Sequence, residues 1–81
     1  MKLRAREHES TSGGDVRIIV NGEDRMVRAG LSITDLLTQL GLHPRMIVVE
    51  HNREILDREQ YANTEVRNGD ALELVHFVGG G

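Results

Sequence analysis

One helix signal lies between strand-like segments, and it restricts the folds open to this 81-residue chain. Ser32 is a favourable N-cap, Asp35 stands three residues later where it can complete a capping box, and Gly41 stands where the helix is expected to end. Four apolar residues between these signals recur at helical spacing, namely Ile33, Leu36, Leu37 and Leu40. A helix with one apolar stripe must bury that stripe, so we expect it to pack on a sheet.

Strand signals precede and follow the helix. Residues 16–20 form a β-branched run that ends in Asn21-Gly22, a pair typical of the two-residue turn of a β-hairpin, and the second arm is expected at residues 24–28. Further strands are expected at residues 46–50, 54–56 and 71–78, and a single helical turn at residues 58–62. The order β-β-α-β-(β)-β predicts the α+β class, a small mixed sheet with one main crossover helix packed on one face.

The chain is long enough for one small domain. Residues 1–14 are polar and end in Ser-Thr-Ser-Gly-Gly, so we expect a flexible N-terminal extension there. Residues 15–78 hold the strand and helix signals and form the predicted domain. Residues 79–81 are expected to be a mobile glycine-rich tail.

Composition argues against several classes of function. The chain has no cysteine, so it can form neither a disulfide nor a thiolate site. Its 13 acidic residues outnumber its 10 basic ones, and with one Tyr, one Phe and no Trp it lacks the basic, aromatic surface that nucleic-acid binding requires. No apolar run approaches the ~20 residues that cross a bilayer, and no signal peptide is evident, so we expect a cytoplasmic protein with no membrane partner.

The sequence also gives no reason to expect an internal active site. Four histidines, His8, His43, His51 and His76, lack the spacing of metal ligands and are interpreted as scattered surface residues. The acidic residues near positions 50–59 are interpreted as solvated, and no glycine motif for nucleotide phosphates is present. We therefore expect neither a metal nor a cofactor.

The last predicted strand alternates in a way that places two apolar residues on its outer face. Leu72 and Leu74 are expected to face the helix, and Glu73, Val75 and Phe77 the opposite side. Val75 and Phe77 then form either ordinary surface apolarity or a docking patch for a partner, and the sequence alone leaves both interpretations open.

Three glycines, Gly79, Gly80 and Gly81, follow this strand directly. They have no side chains to bury, so they are either a frayed end or a slender carrier for the terminal carboxylate. A C-terminal carboxylate is ionised at neutral pH and is a poor electrophile, so it must be activated before it can react, for instance as an acyl-adenylate.

Three segments together resemble one known family. They are Val20-Asn21-Gly22, the stretch Ile-Val-Val-Glu-His-Asn-Arg-Glu-Ile at residues 47–55, and the ending Val-His-Phe-Val-Gly-Gly-Gly at residues 75–81. The chain resembles, over about residues 16–81, the ThiS family of sulfur-carrier proteins in thiamine biosynthesis. That resemblance implies a β-grasp, ubiquitin-like fold.

The resemblance also implies a role for the tail. In that family an E1-like adenylyltransferase of the ThiF type converts the terminal carboxylate to an acyl-adenylate, and sulfur from a cysteine desulfurase then gives a thiocarboxylate. Thiazole synthase, of the ThiG type, uses that sulfur. Here Gly81 would carry the adenylate and the thiocarboxylate, and Gly79 and Gly80 would give access to it. The chain would be a protein cosubstrate and not an enzyme, with no cofactor of its own, because ATP is used by the activating partner.

Three alternatives remain at this point. The small subunit of molybdopterin synthase shares the tail chemistry, although its approach to Gly-Gly is commonly longer and richer in proline, and Pro44 is the single proline here. A ubiquitin-like modifier would join its terminal glycine to a lysine. A plain interaction module would make no chemical use of the tail.

Overall fold

The computed structural model describes residues 14–77, which form a five-stranded sheet with one α-helix on one face. The strands are β1 (Asp15–Val20), β2 (Glu23–Arg28), β3 (Ile47–His51), β4 (Glu54–Ile55) and β5 (Ala71–His76), and the helix is α1 (Ile33–Gln39). Short 3₁₀ helices lie at Pro44–Met46 and Arg58–Asn63. The predicted α+β class and the single crossover helix are confirmed.

The sheet has the order β2-β1-β5-β3-β4, so the last strand of the chain lies in its centre. β5 runs parallel to β1 and antiparallel to β3, while the β1–β2 and β3–β4 pairs are antiparallel hairpins. The parallel pair requires a crossover between the two hairpins, and α1 lies on this crossover. The sheet is therefore mixed, as predicted.

The first hairpin and the helix follow their local sequence signals. Asn21 and Gly22 both have positive φ, 50° and 85°, as a type I′ turn requires. The hydroxyl of Ser32 accepts a hydrogen bond from the Asp35 N–H at 3.0 Å, and the Asp35 carboxylate accepts one from the Ser32 N–H at 3.1 Å. The predicted capping box is thus present.

The end of the helix is a Schellman motif centred on Gly41. Gly41 has a φ of +79°, and its N–H donates to the Thr38 carbonyl at 3.0 Å. The next N–H, that of Leu42, donates to the Leu37 carbonyl at 2.8 Å. This pair of bonds is the one that the motif uses to satisfy the last carbonyls of a helix.

The core lies between α1 and the inner face of the sheet. Its fully buried side chains include Ile18, Ile33, Leu36, Leu37, Ile47, Val49, Val66 and Leu72. Tyr61 joins them from the second 3₁₀ helix, and its hydroxyl donates to the Ile47 carbonyl at 2.7 Å. The predicted apolar stripe of the helix is confirmed, with its last member, Leu40, partly buried at the edge of the core.

Strand ends differ by a few residues from the predicted ones. β3 begins at Ile47, one residue late, because the 3₁₀ helix that starts at Pro44 continues through Met46. β4 is reduced to two residues, although the Leu56 N–H still donates to the Val49 carbonyl of β3 at 2.9 Å and its side chain packs against the core. β5 ends at His76, and Val78 lies outside the described residues, as do residues 1–13 and 79–81, so the predicted division into extension, domain and tail stays a prediction. Within residues 14–77 no helix has the length and apolar character needed to span a membrane.

Candidate functional site at the end of the last strand

The end of β5 is held from both sides, and it fixes the point from which the tail departs. On one side the ladder with β3 continues one residue beyond the strand, because the Phe77 N–H donates to the Met46 carbonyl at 2.6 Å. Gly79, Gly80 and Gly81 lie outside the described residues, so their predicted roles stay predictions. The structure therefore positions the root of the tail.

On the other side, a side chain takes the place of a strand. β1 ends at Val20, yet the Asn21 carboxamide oxygen accepts a hydrogen bond from the Leu74 N–H at 2.7 Å, and its amide nitrogen donates to the Leu74 carbonyl at 3.3 Å. The backbone N–H of Asn21 donates to the Leu72 carbonyl at 2.8 Å, and the two side-chain bonds extend the hydrogen bonding along β5 from Leu72 to Leu74. The local sequence predicts only the turn role of Asn21, because Leu74 lies 53 positions away.

Val75 and Phe77 lie on the outer face of the sheet, where their side chains are 58% and 49% exposed. Val48 stands directly opposite Val75 in the β3–β5 ladder, and Met46 is the hydrogen-bonded neighbour of Phe77. We call these four residues the tail-root patch. Sequence analysis identified Val75 and Phe77 but missed Met46 and Val48, because which strands pair cannot be read from local spacing. The docking role of the patch stays a prediction.

The outer face becomes acidic next to the tail-root patch. Glu50 and Glu73 stand directly opposite each other in the β3–β5 ladder, two residues along each strand from the Val48–Val75 pair and on the same face. Like charges in directly opposed positions destabilise a sheet. The outer face thus combines exposed apolar side chains with a repelling acidic pair, an arrangement that contributes little to the stability of the isolated domain.

A polar cluster lies at the opposite end of β5, around the buried Asp70, which is 7% exposed. Its carboxylate accepts hydrogen bonds from the Arg67 N–H at 2.8 Å and from the Asn52 amide at 3.1 Å, and it lies 3.0 Å from Nε2 of His51. Burial raises the pKa of Asp70, but these hydrogen bonds and the charge of His51 together outweigh burial and lower it. The cluster ties the β3–β4 turn to the start of β5.

His51 therefore does not fit its interpretation as a scattered surface histidine. Its ring is 22% exposed and is paired with the carboxylate of Asp70. No local signal could have revealed the pair, because the two residues are 19 positions apart. Among residues 14–77, no group of three potential ligands is placed to hold a metal ion.

Comparison with known proteins decides the family. The model of the ThiS family matches residues 14–81. The sulfur carrier protein ThiS of Bacillus subtilis is 40% identical over 63 residues, which are 76% of this chain and 96% of that protein. This chain belongs to the ThiS family.

A solved structure and two longer proteins extend the comparison. The crystal structure of the thiamine biosynthesis protein ThiS from Geobacter metallireducens superposes with a TM-score of 0.69 at 38% identity and covers 82% of this chain and 100% of that one. The β-grasp fold is thus confirmed. A thiazole synthase of Paramagnetospirillum magneticum is 41% identical over 66 residues, and one of Magnetococcus marinus 36%. This ThiS family member spans a fifth of the length of each of these two synthases.

Proposed function

We propose that this chain is a sulfur-carrier protein of thiamine biosynthesis whose working group is the terminal carboxylate of Gly81. The observation that carries the proposal is the match to the ThiS family over residues 14–81, because it includes the terminal glycines as well as the fold. The same match favours a ThiS role over that of a molybdopterin-synthase small subunit, a protein modifier or a plain interaction module.

The proposed chemistry converts an unreactive carboxylate into a sulfur donor. An E1-like adenylyltransferase joins the Gly81 carboxylate to the α-phosphate of ATP and releases pyrophosphate. The terminal sulfur of a persulfide, supplied by a cysteine desulfurase, then attacks the Gly81 carbonyl carbon, and the C–O bond to AMP breaks. Cleavage of the S–S bond by a thiol leaves the sulfur on Gly81 as a thiocarboxylate. The partner enzymes supply the catalysis and the ATP, and this chain needs no cofactor.

The geometry at the root of the tail limits where the partner enzymes can bind. Four residues follow Phe77, and an extended segment of that length reaches at most about 14 Å. An active site that receives Gly81 must therefore lie within that distance of the end of β5. The tail-root patch lies at this end, so we assign it to contact with the adenylyltransferase, where burial of its exposed apolar area would favour binding.

The thiazole synthase relatives support a proposal for which protein accepts the sulfur. The two synthases each contain a segment similar to this chain, which supports a thiazole synthase as the acceptor. We propose that this chain donates its sulfur to a thiazole synthase, which is a separate protein or a further part of the same one.

Intact-mass measurement tests the proposal directly. The chain is incubated with a ThiF-type adenylyltransferase, ATP, a cysteine desulfurase, cysteine and a thiol reductant. Replacement of one oxygen by one sulfur, followed by its loss when thiazole synthase and its substrates are added, is the expected result. Loss of sulfur only to a molybdopterin-synthase large subunit would contradict the thiamine role, and conjugates of higher mass would indicate a modifier.

A further inference from the structure

The outer face of the sheet presents charges of both signs at separate places. Glu50 and Glu73, which we call the acidic pair, stand opposite each other beside Val48 and Val75. Arg17 is exposed on the same face of β1, nearer the start of that strand. Among the residues that the structure describes, neither the acidic pair nor Arg17 has an opposite charge within salt-bridge distance. This face can therefore accept a segment that carries both signs of charge.

The N-terminal extension is such a segment. The ThiS family match begins at residue 14, so the extension lies outside the family fold. Its charged residues form two groups, first the basic Lys2, Arg4 and Arg6 and then the acidic Glu7 and Glu9. The acidic group is therefore nearer to β1 along the chain, and the basic group is farther away.

The length of the extension allows its basic group to reach the acidic pair. The pairing of Ile19 with Ala71 sets the distance, which is five residues from Gly14 to Ile19 and two more along β5 to Glu73, or about 23 Å. The two arginines lie eight and ten residues before Gly14, and segments of those lengths reach at most about 29 and 36 Å. Gly13 and Gly14 permit the reversal of direction that this path requires.

The spacing of the two arginines also fits the acidic pair. Arg4 and Arg6 are two residues apart, which is about 6.6 Å in an extended segment. Directly opposed residues such as Glu50 and Glu73 have Cβ atoms about 5 Å apart. Arginine side chains are long enough to span this small difference, and each guanidinium can bind a carboxylate through two hydrogen bonds. Their methylene stems would then lie over the neighbouring Val75.

The acidic group of the extension matches the other charge on the face. Glu9 lies five residues before Gly14 and reaches at most about 18 Å, whereas Arg17 lies three residues after Gly14, about 10 Å along β1. Followed outwards from Gly14, the extension carries acidic and then basic residues. Over the same path the outer face presents Arg17 and then the acidic pair. The two orders of charge are therefore complementary.

We propose that the N-terminal extension is an intramolecular strap, whose two arginines bind the acidic pair and cover Val75 of the tail-root patch. The inference rests on the proposed sulfur-carrier function, because it concerns access of the adenylyltransferase to that patch. The enzyme cannot bury the patch while the strap is closed, so it must displace the strap. Ion pairs between exposed groups are weak, so the strap opens readily and adds little to the stability of the domain.

A spin label tests the contact itself. The chain has no cysteine, so Ala5→Cys allows one nitroxide to be attached between the two arginines. At low salt the label should broaden the amide NMR signals of Glu73 and Val75 more than that of Leu37, which lies in the helix on the opposite face. High salt should reduce this difference, since it screens the ion pairs.

Two results of the labelling experiment would overturn the inference. One is broadening that persists when both arginines of the labelled chain are replaced by glutamine. The other is equal broadening in an unlabelled, isotopically enriched copy mixed with the labelled chain, because the contact would then join two copies.

Matched arginine variants test the effect on activation. Release of pyrophosphate by the ThiF-type adenylyltransferase gives KM and kcat for the carrier. Arg4→Gln combined with Arg6→Gln is expected to lower KM about threefold at low salt and leave kcat unchanged, because a larger fraction of the chain can then bind. Arg53→Gln combined with Arg58→Gln is the control, since it removes the same charge from two other exposed positions.

The two proposals fail in different ways. An equal KM for the two double variants, or a higher KM for the variant of the extension, would overturn the strap while sulfur loading continues to support the carrier function. Thermal denaturation checks that both variants are folded. An unaltered chain that releases no pyrophosphate and acquires no sulfur would overturn the proposed function, and the spin label would still decide whether the extension contacts the outer face.

Discussion

The two ends of β5 are built in opposite ways. At its start, the buried Asp70 satisfies three donors from Asn52, Arg67 and His51, which belong to different segments. At its end, Val75 and Phe77 are exposed on the outer face and no core residue covers them. The start of the strand thus lies in a region whose polar side chains form hydrogen bonds with one another. Its end lies in a region whose apolar side chains remain exposed and gain little stability within the domain. The difference teaches that one end of the strand contributes to stability, while the other end is free to serve the proposed function.

Removal of Gly81 should separate sulfur loading from stability more clearly than any other change. Shortening the tail by one residue withdraws the carboxylate by about 3.5 Å, and displacements of even 1 Å in a reacting group cost rates on the order of a hundredfold. Sulfur loading, measured by intact mass, should therefore be abolished. The midpoint of thermal unfolding should not change, because glycines bury no side chain. A large loss of thermal stability would show that the tail packs against the domain and would contradict the comparison.

Asp70→Ala tests the region at the start of β5. It leaves three donors without their acceptor in a buried position, so the free energy of unfolding should fall by about 2–3 kcal/mol. Urea denaturation at neutral pH measures this loss. Asp57→Ala is the control, because Asp57 is exposed and its side chain makes no capping hydrogen bond. Variant and control should be loaded with sulfur alike below their unfolding temperatures, whereas equal stability of the two would remove the assigned role of Asp70.

The Asp70 carboxylate also makes the free energy of unfolding depend on pH. The folded state lowers the pKa of Asp70, so its contribution to stability is fully present above the unfolded pKa near 3.8 and is lost as the pH falls through the folded value. The free energy of unfolding, followed by urea denaturation from pH 7 downwards, should decrease in acid. Asp70→Ala should show a shallower decrease over this range, and a curve parallel to that of the unaltered chain would contradict the assignment.

Phe77→Asp is expected to affect binding more than folding. The side chain is half exposed, so the free energy of unfolding should change by less than about 0.5 kcal/mol. Affinity for the adenylyltransferase should fall about tenfold, because a charge would be buried in an apolar contact. Ile55→Asp is a matched control on the edge strand β4, where Ile55 is 67% exposed and stands opposite Glu50, at the other end of β3 from the end of β5. Equal effects of the two substitutions on affinity would exclude a specific role for the tail-root patch.

The smallest expected effect concerns the acidic pair beside that patch. Glu73→Gln removes the repulsion with Glu50, so stability should rise by about 0.2–0.5 kcal/mol at low salt and by less at high salt. Glu59→Gln, at an exposed position of the second 3₁₀ helix, removes the same charge without this pair. If both variants gained equally, the gain would reflect net charge and not the pairing of the two strands.

Features set by neighbouring residues could be predicted from the sequence. The type I′ turn at Asn21 and Gly22 and the helix between Ser32 and Gly41 each depend on a few adjacent residues, and the structure confirms both. Alternation along β5 was equally local, so the exposure of Val75 and Phe77 could be predicted without knowing which strands flank it.

Contacts between distant segments could not be predicted in this way. Asp70 and His51 are 19 positions apart, and each alone looks like a residue of a turn or a surface. Strands on both sides of residues 51–53 were predicted, but not the conformation of the turn between them, in which Asn52 and Arg53 both adopt positive φ without a glycine. The amide of Asn52 explains its part, because it bonds both Asp70 and the Ala71 N–H.

The Asn21 carboxamide has a consequence for which residues this position can accept. The turn by itself would tolerate aspartate or glycine, since both adopt left-handed backbone conformations. A carboxylate there would still accept from the Leu74 amide, but its second oxygen would oppose the Leu74 carbonyl, and glycine would supply neither bond. The requirement for an amide at position 21 is thus imposed by the last strand of the chain. The end of β5, which precedes the proposed sulfur-bearing terminus, is therefore held in place in part by a residue of the first hairpin.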